Sequence, residues 1–288
     1  MRLPTIHRAR TLLTTARYMA GASVANDRHH ILVACMPKSG SSLVTRTIGS
    51  LPGFRVASIV QGYDRNEQEL SELELLRFHN TNYATQNHIR YSAPLARLMA
   101  DFNMRPLVLT RNIFDVIVSM RDHFKNVSLT WPLAYVPPKL LDRPDEDIDL
   151  FIAEMMVPWY LNFFMSWCDC DSAVWLSYET YTTDPLTRLE ETLPNLGVNI
   201  TRAKTYGAIQ AADKSRLKTK NKGVPGRGKA VAPAVVDRIY RLSAYYEASV
   251  RDPDKKKIFE DTFHHPDYAA LNACADGTES FQLGRSAR

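Results

Sequence analysis

Short apolar runs alternate along this chain with longer stretches in which apolar residues recur every three or four positions. Ile31–Cys35 and Pro106–Thr110 read as buried strands. Phe54–Val60 and Ala173–Tyr178 read as further strands, and Gln86–Ile89 as a strand end. Between them, helical spacing covers Leu43–Ile48, Glu67–Phe78 with Leu70, Leu73 and Leu76 near one face, Pro94–Met99 and Ile113–Phe124. It resumes over an unusually aromatic Leu150–Cys168, over Pro185–Leu193, Thr201–Ala212 and Pro233–Tyr246. Beyond Asp252 the periodicity is weak. Strands alternating with helices predict the α/β class, with a central parallel sheet flanked by helices. The expected organisation is a leader helix or extension over 1–30, one domain over 31–275 and a mobile tail over 276–288.

Composition narrows the class. The chain has 288 residues, 45% hydrophobic and 23% charged, which excludes bulk disorder. A net charge of +5 suits small anionic ligands, and no dense basic block with interleaved aromatics points to nucleic acid. Cys35, Cys168, Cys170 and Cys274 lack the spacing of a metal site, and Cys35 reads as a small buried thiol. The expectation is a reduced, cytoplasmic protein without a metal. No run approaches the ~18 apolar residues of a membrane span. Arg2, Arg8, Arg10 and Arg17 punctuate short apolar pieces at the N-terminus. That segment is either a leading helix packed on the domain or an amphipathic helix for a surface or partner.

Chemistry concentrates where the first strand ends. Met36-Pro37-Lys38-Ser39-Gly40-Ser41-Ser42 joins that strand to a helix that begins at the hydroxyls. Such a turn directs backbone N–H groups, and the positive end of the helix dipole, at an anion. Lys38 adds a full charge. Its position ahead of the glycine departs from the NTPase pattern G-x-x-x-x-G-K-[ST]. The second feature is Arg111 at the end of strand 106–110, with Asp115 and Ser119 on the next helix. Arg111 and Ser119 are eight positions apart, about two helical turns, so a guanidinium and a hydroxyl address one region at the sheet edge where ligands bind. A structural ion pair is the plainer use of such an arginine.

Taken together these segments resemble the sulfotransferases that use 3′-phosphoadenosine 5′-phosphosulfate (PAPS). Pro37-Lys38-Ser39-Gly40-Ser41-Ser42 is similar to their 5′-phosphosulfate loop, and Arg111-Asn112-x-x-Asp115-x-x-x-Ser119 to their 3′-phosphate motif. Tyr178-Glu179 followed by Asp184-Pro185 resembles a later strand and helix, and Asn221-Lys222-Gly223-x-x-Gly226 a basic loop closing over the nucleotide. The resemblance covers roughly residues 31 to 229. It implies a P-loop NTPase-like three-layer sandwich and sulfuryl transfer to a small-molecule or carbohydrate acceptor, leaving 3′-phosphoadenosine 5′-phosphate (PAP). It further implies that Ser39, Gly40, Ser41 and Ser42 bind the 5′-phosphate and that Lys38 neutralises the leaving oxygen. Arg111, Ser119, Lys222 and Gly223 would grip the 3′-phosphate, Tyr178 would contact adenine, and His88 would be the base.

Three positions depart from the better-known cytosolic pattern: Leu43 for a tryptophan, Gln86 for a lysine and Asn221 for an arginine. Among the aromatics between Trp131 and Trp167, namely Tyr135, Phe151, Trp159, Tyr160, Phe163 and Phe164, some border the acceptor pocket and most are core. A homodimer is left open. A kinase using ATP and Mg²⁺, or a catalytically silent nucleotide-binding relative, are the competing readings.

Overall fold

The computed structural model describes residues 5–21, 24, 26–61, 67–214 and 225–266. Lys222, Gly223, Asn221, Cys274 and the tail from 276 lie outside them. In chain order the elements are α1 (Thr5–Met19), β1 (His30–Cys35), α2 (Ser41–Gly49), α3 (Glu72–Phe78), β2 (Tyr83–Asn87), α4 (Ala93–Asp101), β3 (Met104–Thr110) and α5 (Ile113–Asn126). They continue with α6 (Asp145–Met155), α7 (Val157–Cys168), β4 (Val174–Ser177), α8 (Tyr178–Thr183), α9 (Pro185–Asn195), α10 (Arg202–Lys214), α11 (Pro233–Glu247) and α12 (Pro253–Phe263).

Among the described residues the four strands form one parallel sheet in the order β2-β1-β3-β4. Every residue of β1 is buried, and its side chains alternate between two apolar layers. Leu32 and Ala34 join one layer; Ile31, Val33 and Cys35 join the other. Helices cover both faces, which is the expected α/β sandwich. The uninterrupted apolar run thus has its cause: a central parallel strand has no solvent face.

Several expectations need correction. Phe54–Val60 is not a strand of this sheet; it makes only isolated bridges, Val56 with Ala84 and Val60 with Leu70. The helix expected over Glu67–Phe78 starts at Glu72, because Ser71 caps it, its hydroxyl accepting from the Glu74 amide at 3.4 Å. Leu73, expected near the apolar face, is 72% exposed. Leu150–Cys168 is part of two helices that break at Met156, and α12 is a regular helix whose Phe259 and Phe263 are wholly buried. Asp145–Cys168 is apolar and long enough by composition to cross a membrane; here it packs Tyr160, Phe163, Phe164 and Trp167 into the core.

A histidine cluster closes the opposite end of the sheet from the strand C-termini. His30 places its ring nitrogens 2.6 Å from the Phe102 carbonyl and 2.8 Å from the His79 carbonyl, and stacks on Tyr83 at 4.5 Å. Burial, then the neighbouring His30, hold the His79 pKa down to about 4 against an ordinary 6.5. Between those values the unfolded chain binds the extra proton. The stabilisation is therefore complete above 6.5 and is lost as pH falls toward 4. His79→Gln should reduce the stability lost between pH 7 and pH 5 by about 2 kcal/mol, read from urea unfolding at both values.

Candidate active site

The loop after β1 is wound by two left-handed residues, Lys38 at φ 65° and Gly40 at φ 77°. Only glycine adopts such a φ freely, so Lys38 is held there by its surroundings. Arg111, arriving at the end of the adjacent strand β3, donates through Nη1 to the Lys38 carbonyl at 3.0 Å. From the α7 side, the buried Tyr160 hydroxyl donates to the Pro37 carbonyl at 3.2 Å. The loop is thereby gripped from two sides. Gly40 caps α2 without any side-chain cap, so the first N–H groups of α2 face outward from the helix.

Gly40 meets a second constraint. A Cβ there would lie 2.3 Å from Cε2 of Tyr178, the first residue of α8. The Tyr178 ring also carries the Arg111 guanidinium, 4.4 Å from its centroid. Gly40, Tyr178 and Arg111 thus lie together at the C-terminal edge of β1, β3 and β4. Gly40→Ala adds a left-handed alanine and a ring clash, and should cost roughly 2–4 kcal/mol in urea unfolding.

Arg111 is buried, 6% exposed, with Asp115 3.6 Å from Nη2. Asp115 is itself committed: its two carboxylate oxygens accept the Gly226 amide at 2.8 Å and the Gly228 amide at 2.6 Å. That carboxylate ties the segment following the basic loop to the start of α5. Gly228 sits so close that a Cβ would lie 2.5 Å from the Phe114 backbone. Arg227, between them, pairs with Asp122 at 2.7 Å. Burial, then the Arg111 charge, lower the Lys38 pKa, and Asp122 opposes them. The Nε of Arg111 and the hydroxyl of Ser39 are buried without a hydrogen-bond partner. A buried guanidinium beside the half-buried Lys38, with unpaired buried polar atoms on Arg111 and Ser39, fits an anionic group.

His88 follows β2 directly. Its Nδ1 donates to the Cys35 carbonyl at 2.9 Å, so in the neutral ring Nε2 presents the lone pair. Gln68 fixes its backbone, accepting the His88 amide at 2.9 Å while its own amide donates to the His88 carbonyl at 2.9 Å. Burial lowers the His88 pKa and the Cys35 carbonyl partly offsets that, so the ring is a neutral base at physiological pH. Cys35 is no rival nucleophile, since burial pushes its thiol up to about 12.

Ser41 opens α2, and the Ser42 hydroxyl donates to Gln86 Oε1 at 3.1 Å, at the position where the resemblance leads one to expect a lysine. Ser119 is buried on α5, 3% exposed. Leu43 packs in the core layer with Val33 and Ile48 and offers no aromatic face. Of the aromatics, Tyr160, Phe163 and Phe164 are core, Tyr135 is 82% exposed, and Phe151 and Trp159 are half-buried. The Trp159 indole donates to Glu67 at 2.9 Å, and Glu67 also pairs with Arg90 at 2.5 Å. Gln68, Tyr160 and the two-oxygen use of Asp115 had no signal in the sequence beyond the Asp115 spacing. A cavity of about 520 Å³ beside Asn112 shares Asp115 and Gly226 with this site and is also lined by Glu179, Glu260, Asp261, Lys229 and His264. Among the described residues no His, Cys, Asp and Glu side chains group as metal ligands.

No family model and no curated protein matches the chain by sequence. Solved structures do match by shape. Mouse sulfotransferase SULT7A1, determined as a complex with PAP, superposes with a TM-score of 0.58 at 15% identity, over 85% of this chain and 90% of that one. The chain has the sulfotransferase fold. A retinol dehydratase in complex with androsterone and the inactive cofactor PAP shares this fold, with a TM-score of 0.50 at 11% identity over 85% of this chain and 87% of that one. In sulfotransferase-fold terms, the Lys38 loop, Arg111, Tyr178 and His88 all stand at the C-terminal ends of the parallel strands, the edge where open α/β sheets bind ligands.

Proposed function

We propose that this protein is a sulfotransferase that moves the sulfuryl group of PAPS to a hydroxyl or amine of a small-molecule or carbohydrate acceptor by in-line displacement. The observation that carries the reading is the convergence on one loop of Lys38, the Arg111 guanidinium and the unpaired Ser39 hydroxyl, with neutral His88 on the neighbouring strand end. The acceptor heteroatom attacks sulfur while the bond from sulfur to the bridging phosphate oxygen breaks. The departing electron pair rests on that oxygen, which leaves as part of PAP, and His88 Nε2 takes the acceptor's proton. The Lys38 ammonium is the group assigned to the growing charge on the leaving oxygen, where stabilisation acts on the transition state.

Donor binding is assigned to Ser39, Gly40, Ser41 and Ser42 at the 5′-phosphate. Arg111, Ser119 and the Lys222-Gly223 amides take the 3′-phosphate, and Tyr178 the adenine edge. With Gln86 in place of a lysine and engaged by Ser42, Lys38 is the single cation assigned to the leaving group. The half-buried Trp159 and Phe151 are the aromatics assigned to the acceptor side. The free thiols of Cys35, Cys168 and Cys170 fit a cytoplasmic enzyme.

Calorimetric titration tests the donor assignment. PAP should bind more tightly than 5′-AMP. Arg111→Ala should weaken PAP about 10–100-fold, the worth of a charge-assisted fork, while changing 5′-AMP much less. Equal losses for both nucleotides would move Arg111 to the 5′-phosphate.

A further inference from the structure

We infer that α1 is a peripheral docking helix for an anionic lipid surface. The helix is turned opposite to the usual sense. Its inward face is polar: Thr11, Thr14, Thr15 and Tyr18 recur at helical spacing, the Tyr18 hydroxyl donates to Glu72 at 3.1 Å, and the Asn80 amide donates to Thr14 at 3.4 Å. Its outward face is apolar. Ala9, Leu12, Leu13, Ala16 and Ala20 form an i, i+3, i+4, i+7, i+11 stripe, all exposed, with Leu12 at 71% and Leu13 at 64%; Met19 beside them is 79% exposed. Amphipathic helices normally bury such a stripe against their own domain. This one leaves it for something else.

Charge selects the occupant. Residues 1–26 contain Arg2, Arg8, Arg10 and Arg17 and no Asp or Glu. At about 100° per residue, positions 10 and 17 fall on one flank of the stripe and position 8 on the other. Leucines and methionine between flanking arginines are the pattern of a helix lying in the plane of a membrane interface. A second copy of this chain is the poorer partner, because mating two such faces sets arginine flank against arginine flank. Tyr18 also packs on Phe102 at 5.2 Å, which places α1 beside the starts of the strands, away from the edge that holds Lys38 and His88. Docking through α1 therefore leaves that edge open to solution.

Sedimentation with vesicles tests this without reference to catalysis. The whole protein should bind vesicles of phosphatidylcholine mixed with phosphatidylglycerol about tenfold or more tightly than vesicles of phosphatidylcholine alone, and molar salt should release it. Leu12→Asp/Leu13→Asp should lose about tenfold or more of that binding with an unchanged circular dichroism melt, since both side chains are already in water. Arg8→Gln/Arg10→Gln, which keeps the apolar stripe, should lose the preference for the anionic lipid. The inference is overturned if the wild-type protein ignores phosphatidylglycerol, or if the leucine variant binds as the wild type does. A wild-type dimer that the leucine variant dissociates, with no vesicle binding, would assign the face to a second copy instead.

Discussion

Lys38→Ala is expected to lower kcat for sulfuryl transfer by about 10²–10³-fold while changing the Kd for PAP only a few-fold. The asymmetry follows from what Lys38 is assigned to meet. On the proposed assignment loop amides, hydroxyls and Arg111 hold PAP and PAPS, so the ground state has other cations and donors. The leaving oxygen gains its charge only as the sulfur bond breaks. Burial and the neighbouring Arg111 lower the Lys38 pKa below its ordinary 10.5, so the alkaline limb of the rate profile should fall below that value. Lysine, alanine and glutamine all carry a Cβ at φ 65°, so the backbone strain is common to the three, and Lys38→Gln, which keeps much of the stem without the charge, serves as the control. A variant that loses PAP affinity and turnover in equal measure would make Lys38 a binding residue.

His88→Asn is expected to lower kcat about 10²–10⁴-fold with PAP binding intact, because the asparagine amide can still donate to the Cys35 carbonyl but nothing replaces Nε2. The pH profile carries the sign. The base must be neutral to accept a proton, and burial lowers its pKa below 6.5. The wild-type rate should therefore stay level as pH falls past 6.5 and decline only at lower pH, whereas the variant should lack that limb. Added imidazole should restore part of the variant's turnover. An unchanged acid limb in His88→Asn would place the base elsewhere.

What the chain reveals before folding depends on how local the cause is. The strand, loop and helix from Ile31 to Gly49 were legible because each cause lies within a few residues: a continuous apolar run, then left-handed glycine geometry, then helix-compatible residues. Phe54–Val60 misled because β-type composition does not disclose whether a partner strand is in register. The capping pair Ser71 and Glu74 is a readable start signal for α3. α12 was obscured by a polar sequence in which two phenylalanines four apart are the buried apolar residues. At the site, residue types were legible and their supports were not. Gln68 reaches His88 from 20 positions away, Tyr160 reaches Pro37 from 123, and Asp115 reaches Gly226 from 111. Such contacts are set by the tertiary fold, and no periodicity encodes them.

The most direct test of the account is transfer of ³⁵S from labelled PAPS to a panel of phenols, aliphatic alcohols, amines and sugars, with and without Mg²⁺, beside γ-³²P-ATP under the same conditions. Labelled sulfated product is expected from PAPS for at least one acceptor class, undiminished without Mg²⁺ and reduced in the Lys38 and His88 variants. Label arriving from ATP in the presence of Mg²⁺, or PAPS turnover indifferent to both variants, would contradict it.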